Sequence, residues 1–174
     1  MRVVAGVAGG RRLATLPGGS VRPTSDRVRE AVFNALISLD AVRGATAVDL
    51  FAGSGALGVE ALSRGADHST FVDHDAKALA VVRANLDATG LEADARVVRS
   101  DALRFLDEDA GHFDLALLDP PYRFDDRAWS ELLAALDADI AVLESDRTIE
   151  LGVHWDPVRL KRYGTTVVTI ARHR

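Results

Sequence analysis

Short apolar runs alternate with longer amphipathic stretches along most of this chain. The clearest run, FDLALL at 113–118, predicts a strand that is buried on both faces of a sheet. On the same grounds we predict strands at 46–51, 68–73, 95–99, 113–118, 140–143, 148–153 and 165–171. Helices are predicted at 59–64, 75–88, 102–106 and 127–137. This alternation predicts an α/β fold with a mostly parallel sheet, helices on both faces and an antiparallel pair of strands at the C-terminus.

The N-terminal part of the chain has a different pattern. Residues 2–8 alternate weakly between apolar and polar, and a glycine pair then precedes 13–16, which predicts a short β-hairpin. An amphipathic helix is predicted to begin near Asp26. Because 174 residues suit one domain, we expect one compact unit. We expect residues 45–174 to form the main domain of this unit. Residues 1–44 are expected to extend it with a basic hairpin and a helix.

Positive charge is concentrated near the N-terminus, although the net charge is −5. Residues 1–43 hold seven arginines against three acids, and the whole chain has only two lysines. The negative total argues against attraction of nucleic acid by the whole surface. Arginine suits planar stacking and bidentate phosphate contact, so we expect Arg11 and Arg12 on the hairpin to contact nucleic acid. The alternative is that this segment is a mobile terminus.

The composition excludes several classes of protein. The chain has no cysteine, which excludes disulfides and thiolate metal sites and fits a reducing cytosol. Its five histidines are scattered, so no metal site is predicted. There is no run of about eighteen apolar residues and no apolar leader at the N-terminus. We therefore expect a cytoplasmic protein without a membrane partner.

A glycine-rich turn follows the first predicted strand of the main domain. Residues 53–58, Gly-Ser-Gly-Ala-Leu-Gly, allow close approach of a ligand to the backbone and lead into an electropositive helix N-terminus. This signal alone is weakly specific, since dinucleotide-binding sites share it. Acidic side chains lie on or just after four predicted strands: Asp49, Asp73, Asp101 and Asp119. Any one of them is also typical of a helix cap, but four in register favour a ligand site at the carboxyl edge of the sheet.

The sequence Asp119-Pro120-Pro121-Tyr122 ends the clearest strand. Two consecutive prolines cannot donate to a sheet ladder, so the strand must stop and the chain must turn. A carboxylate beside a proline carbonyl can accept both hydrogens of an exocyclic amine on a nucleobase, and the tyrosine ring can stack on that base. The alternative is an ordinary turn with a tyrosine packed in the core.

Together these motifs resemble class I S-adenosylmethionine-dependent methyltransferases that act on exocyclic amines. Four stretches, 22–34, 49–66, 119–122 and 161–166, are similar to the RsmD family, which methylates N2 of a guanine in bacterial 16S ribosomal RNA. The resemblance implies a Rossmann-like class I methyltransferase fold with a seven-stranded sheet and S-adenosylmethionine as cofactor. The region from about 125 to 156 matches the family least.

The resemblance also implies roles for individual residues. It implies cofactor binding by Asp49, Phe51, Gly53, Gly55, Asp73, Asp101 and Thr24. It implies that the target guanine is held by Asp119, Pro120, Pro121 and Tyr122. Contact with RNA is expected for Arg11, Arg12, Arg22 and Arg27.

The expected function is methyl transfer to the N2 amine of a guanine in 16S ribosomal RNA, either free or in a partly assembled small subunit, by a monomer. An adenine-N6 methyltransferase is an alternative, because the Asp-Pro-Pro-Tyr geometry suits any exocyclic amine. A sequence-specific DNA enzyme would need a recognition domain, and none is visible. An NAD-dependent oxidoreductase built on the glycine turn and a non-catalytic RNA-binding assembly factor are alternatives from other classes.

Overall fold

The computed structural model describes residues 1–16, 26–108, 111–121 and 123–174. Three residues with predicted site roles, Arg22, Thr24 and Tyr122, lie outside the described residues. Their roles therefore stay predictions. In the part of the chain that is described, no helix is long and apolar enough to cross a bilayer.

The centre of the protein is one seven-stranded sheet. Its strands are β1 (Thr46–Asp49), β2 (His68–Asp73), β3 (Ala95–Arg99), β4 (Phe113–Leu118), β5 (Ala138–Ser145), β6 (Trp155–Tyr163) and β7 (Thr166–His173). The order across the sheet is β3-β2-β1-β4-β5-β7-β6. Neighbours among β1 to β5 are parallel, whereas β7 runs antiparallel to both β5 and β6. This architecture confirms the predicted α/β fold with its C-terminal antiparallel pair.

In the described residues, five α-helices cover the two faces of the sheet. They are α1 (Asp26–Ser38), α2 (Ala56–Ser63), α3 (Ala76–Thr89), α4 (Ala102–Glu108) and α5 (Asp126–Ala135). Apolar residues of α1, α2 and α3 share one hydrophobic core, and those of α4 and α5 share the other. The sheet therefore lies between two cores, as expected when each strand-to-strand crossover carries a helix.

The predicted strand at 148–153 is wrong. The structure places the sixth strand at Trp155–Tyr163, and most of its residues are exposed. This strand lies at the edge of the sheet, where Pro157 is tolerated and a bulge separates Pro157 from Arg159. An exposed edge strand needs no apolar alternation, so the pattern in the sequence could not reveal it.

The N-terminal segment is docked onto the helices rather than hanging free. The predicted hairpin is present as one antiparallel bridge between Arg2 and Arg12. The buried carboxylate of Glu60 on α2 accepts hydrogen bonds from the backbone N–H groups of Val4 at 2.8 Å and Ala5 at 3.1 Å. Two neighbouring N–H groups are therefore held by one acidic side chain in the core.

The same carboxylate forms ion pairs with two arginines. Glu60 lies 3.3 Å from Nε of the fully buried Arg29 on α1 and 2.7 Å from Nε of Arg64. Arg29 also donates to the carbonyl of Arg2 and pairs with Asp26 at 2.9 Å. Since a charge is costly to bury alone, these ion pairs join the N-terminal segment, α1 and α2 into one unit.

We predict that Glu60→Gln destabilises the protein by about 3 kcal/mol, because it leaves the buried Arg29 with the exposed Asp26 as its remaining ion-pair partner among the described residues. Glu108→Gln is the matched control, since Glu108 is exposed and pairs with the exposed Arg104 at 3.0 Å. An exposed pair of this kind contributes at most about 1 kcal/mol. Urea denaturation measures the free energy of unfolding of both variants. Equal losses of stability in the two variants would contradict a central role for Glu60.

Candidate active site

The candidate site lies where the order of strands reverses. β1 continues to β2 and β3 on one side of the sheet, whereas β4 continues to β5 on the other. β1 and β4 are direct neighbours, with Asp49 opposite Leu117 and the Leu50 N–H bonded to the Leu117 carbonyl at 3.1 Å. Loops that leave such a pair diverge and open a crevice at the carboxyl edge, which is where open α/β sheets bind ligands. The glycine turn after β1 and the proline turn after β4 border this crevice.

The glycine turn approaches its neighbours too closely for larger side chains. Gly55, the N-cap of α2, has a φ of 78°, a conformation that favours glycine. A Cβ on Gly58 would lie 2.3 Å from the Phe71 ring of β2, which no side chain can do without displacing the aromatic residue. These two glycines bring the start of α2 close to the sheet, and a helix N-terminus is a favourable place for an anionic ligand group.

Asp49, the last residue of β1, is a buried carboxylate at the crevice. Its side chain is 1% exposed, and its Oδ2 accepts the Gly58 N–H at 3.0 Å. Its Oδ1 is buried and accepts no hydrogen bond from any described residue. Burial, together with the negative charge of Asp73, raises the pKa of Asp49 to about 7, although the backbone N–H groups of Gly58 and, more weakly, Phe51 offset part of that rise. A buried acceptor without a partner is costly, so this oxygen fits a cationic or N–H-bearing ligand group.

Asp73 holds the glycine turn from the end of β2. One of its oxygens accepts the Gly53 N–H at 2.9 Å, and the other accepts the Asp75 N–H at 2.9 Å. The side chain remains 12% exposed. A carboxylate fixed in this way keeps lone pairs for two adjacent hydroxyl groups, as in ribose recognition.

Asp101 lies one strand further out and caps α4. Its Oδ1 accepts the backbone N–H of Leu103 at 3.0 Å, so the helix-cap alternative is present in the structure. The side chain is exposed and also borders an open hollow of about 360 Å³ between the end of β3 and α4. The cap orients the carboxylate and does not prevent it from meeting a ligand in that hollow.

The proline turn is held rigidly against the end of β1. Asp119 is half-buried, Pro120 is buried, and the Pro121 carbonyl accepts the Phe124 N–H at 2.9 Å. The Phe124 ring packs edge-on against Phe51, with ring centroids 5.3 Å apart. Phe51 thus joins the two turns of the crevice and keeps Asp119 beside the glycine turn.

Asn85 is a site residue whose importance the sequence understates. In the sequence it is typical of a polar residue on a helix, yet in α3 it is 1% exposed. Its amide accepts the Ala14 N–H at 2.7 Å and donates to the Ala14 carbonyl at 3.0 Å and to the Ser54 carbonyl at 2.8 Å. One side chain therefore ties the N-terminal segment to the glycine turn. One feature of the sequence does indicate its burial. The spacing of Asn85 from Val82 and Thr89 places it on the buried face of α3.

The three described arginines that are expected to bind RNA lie in two places. Arg27 is exposed on the first turn of α1. Arg11 and Arg12 are exposed on the N-terminal segment, and Arg11 donates to the Ala88 carbonyl at 3.2 Å. Ala88 is near the C-terminal end of α3, which runs back from the carboxyl edge after β2. The structure therefore does not bring Arg11 next to Asp119.

A group of potential metal ligands lies at the opposite edge of the sheet. Atoms of His112, Asp114 and Asp139 lie within 4.8 Å of one another, near the starts of β4 and β5. His112 is bonded to Asp137 at 2.9 Å, which raises the pKa of His112. This group is remote from the crevice, and we assign it no part in the site.

Comparison with known proteins agrees with this geometry. The family model described as conserved hypothetical protein 95 matches residues 1–172. The putative rRNA methyltransferase YlbH of Bacillus subtilis is 40% identical over 188 residues, covering 100% of both proteins. The ribosomal RNA small subunit methyltransferase D of Escherichia coli is 41% identical over 123 residues, which cover 71% of this chain but only 61% of that protein.

A solved structure shows the same fold. The putative methyltransferase yhhF from Escherichia coli superposes with a TM-score of 0.86 and 34% sequence identity, covering 100% of this chain and 98% of that one. Both the sequence and the fold are thus shared over the full length with proteins named as methyltransferases. The chain therefore belongs to the RsmD family, whose model is described as conserved hypothetical protein 95.

Proposed function

We propose that this protein transfers a methyl group from S-adenosylmethionine to the exocyclic N2 amine of a guanine in the 16S ribosomal RNA of the small subunit. The observation that carries the proposal is the juxtaposition, across the β1–β4 pair, of Asp119-Pro120 with the unpartnered oxygen of Asp49. The names of the relatives support ribosomal RNA as the substrate class. The choice of guanine N2 rests on the family resemblance.

The residues of the crevice fit S-adenosylmethionine. The buried Oδ1 of Asp49 suits a positively charged group of the cofactor, and the N–H groups at the start of α2 suit its carboxylate. The partly exposed Asp73 suits the ribose hydroxyls, and Asp101 at the hollow suits the adenine amine. When bound, S-adenosylmethionine supplies a methyl group activated by its sulfonium.

The protein's own contribution at the reacting amine is positioning. The N2 lone pair of guanine is delocalised into the ring, so the amine is a poor nucleophile. Acceptance of its hydrogens by the Asp119 carboxylate and the Pro120 carbonyl favours a pyramidal nitrogen and stabilises the positive charge that develops on it. Asp119 need not be a strong base, since an aromatic ammonium loses its proton readily to water. The stacked base and the buried Pro120 exclude water from the reacting atoms.

The target base must leave its stack to reach this crevice. This requirement favours a guanine in a single-stranded loop or at a helix end. We assign contact with the flanking RNA to Arg22 and Arg27, and contact with a more distant part of the substrate to Arg11 and Arg12, which lie away from Asp119.

The most direct test of the function uses purified protein, S-adenosylmethionine and unmethylated 16S ribosomal RNA, either naked or in partly assembled small subunits. We predict that nucleoside mass spectrometry detects N2-methylguanosine. Asp119→Ala is expected to lower turnover about 100-fold, because one preorganised acceptor is lost. Its affinity for the cofactor, measured by calorimetry, should change less than about twofold, because Asp119 lies on the side of the target base.

Asp87→Ala is the control for that variant, since Asp87 is an exposed acid on α3 outside the crevice. N6-methyladenosine as the product would favour the adenine alternative. Binding of NAD without binding of S-adenosylmethionine would contradict the proposal. Full activity of Asp119→Ala would show that the amine is held elsewhere.

A second prediction concerns Asp49 and pH. Because the pKa of Asp49 in the folded protein is about 7, cofactor affinity should rise from about pH 6 to about pH 8, as the carboxylate that faces the cation forms. Asp49→Asn should bind more weakly and without this pH dependence. Calorimetry in two buffers of different ionisation enthalpy counts the proton released on binding, and an affinity independent of pH in the native protein would contradict the role of Asp49.

The raised pKa of Asp49 also determines how the stability of the ligand-free protein depends on pH. The raised pKa means that the folded protein holds a proton that the unfolded chain has lost. The stabilisation that this proton provides is complete below pH 3.8, the ordinary pKa of the group, and is lost as the pH rises to about 7. Asp49→Asn should therefore gain stability relative to the native protein across that window.

A further inference from the structure

A groove lies between α1 and the end of β6. It has a volume of about 700 Å³ and is lined on the helix side by residues that include Arg27, Glu30 and Asn34. The strand side is formed by Lys161, Tyr163 and Gly164. We call it the α1–β6 groove. β6 runs in the same direction as β4 and β5, since β7 is antiparallel to both β5 and β6. The groove therefore opens at the same carboxyl edge as Asp119.

The bulge in β6 determines which side chains face the groove. Successive residues of a strand point to opposite faces, and one extra residue between Pro157 and Arg159 shifts that alternation. Beyond the bulge, Arg159 packs beside residues of α1, and Lys161 and Tyr163 continue on the same face. Arg162 points to the other face of the sheet. A basic and partly aromatic row thus faces α1.

The positive charges of this row are not neutralised within the protein. Arg27, Arg159 and Lys161 are exposed, and none of them forms an ion pair with any residue that the structure describes. By contrast, the exposed Arg104 and Arg127 each pair with a glutamate. Three such cations lie along this face of the protein, against the acid Glu30 in the groove lining. The local positive excess, in a protein whose net charge is −5, favours an anionic partner.

An aromatic ring adds a second feature. The Lys161 ammonium lies 5.2 Å from the centroid of the half-buried Tyr163 ring. A ring beside cations suits a nucleic-acid strand, whose bases stack while its phosphates meet the charges. Basic residues on an edge strand can instead serve to prevent pairing with other sheets. Prevention of sheet pairing would not require the basic residues of β6 to lie on the face towards α1 rather than on the opposite face.

We propose that the α1–β6 groove binds the single-stranded RNA that flanks the target guanine, with Arg27, Arg159 and Lys161 on its phosphates. This inference rests on the proposed function and adds the path of the substrate. β4 and β6 are three strand spacings apart, or about 14 Å, which a few nucleotides can span. The strand would enter the crevice from the side opposite to the adenine hollow beside β3.

The test compares Arg159→Glu with Arg162→Glu. The two changes are chemically identical and lie on the same exposed strand. Arg159 lies on the face towards α1 and lines a small cavity that shares Lys161 and Tyr163 with the groove, whereas Arg162 lies on the other face. The probe is a short fluorescein-labelled single-stranded RNA, and its affinity is measured by anisotropy over a range of salt concentrations without cofactor. Arg159→Glu should weaken binding about three- to tenfold and lower the salt slope by about 0.7, the loss of one phosphate contact. Arg162→Glu should change the affinity less than about twofold.

Lys161→Gln provides a second, milder variant, which should also weaken binding and reduce the salt slope. Equal losses of RNA affinity for Arg159→Glu and Arg162→Glu would show an effect of net charge alone and would contradict the proposal that the groove binds RNA. An unchanged affinity of both Arg159→Glu and Lys161→Gln would overturn it as well. Failure of the proposed function can be told apart from failure of the groove proposal. The former appears as the absence of N2-methylguanosine in the assay with the native protein and does not depend on the RNA affinities of these variants.

Discussion

The pairing of β1 with β4 is the constraint on which the site depends. Register places Asp49 opposite Leu117, so the chain that leaves β1 as a glycine turn and the chain that leaves β4 as a proline turn start side by side. Hydrogen bonds then fix the glycine turn, and aromatic packing joins it to the proline turn. Asp49 holds the Gly58 N–H, Asp73 holds the Gly53 N–H, and Phe51 packs on Phe124 across the gap. The crevice is thus preorganised by these contacts before any ligand binds. In a reaction that uses no strong base, such preorganisation is expected to supply most of the rate acceleration.

The N-terminal segment belongs to this arrangement as much as the sheet does. Glu60 anchors its beginning through two backbone N–H groups, and Asn85 pairs with both backbone groups of Ala14 while it holds the Ser54 carbonyl. A disturbance of this segment is therefore transmitted to the turn expected to hold the cofactor. This connection gives a physical route by which RNA contact near α1 can be coupled to cofactor binding.

The sequence predicts some parts of this protein better than others, for physical reasons. β4 occupies the residues predicted for it, because a strand buried on both faces is continuously apolar and two prolines end it. The edge strand β6 was misplaced, because exposure removes the apolar pattern and a bulge shifts what remains. The role of Asn85 could not be predicted, since its partners Ser54 and Ala14 are 31 and 71 residues away in the chain. Motifs within one turn, such as Asp119-Pro120, are visible in a sequence, whereas contacts that join distant segments require the fold.

The central claim is that a methyl donor and an exocyclic amine meet between the two turns that leave β1 and β4. A crystal structure of the protein with S-adenosylmethionine tests this claim most directly. The account predicts that the cofactor lies against residues 53–58, with a cationic group at the Asp49 carboxylate and its methyl group directed to the space beside Asp119 and Pro120. A cofactor bound elsewhere, or bound with its sulfur remote from the Asp119 carboxylate, would contradict the account.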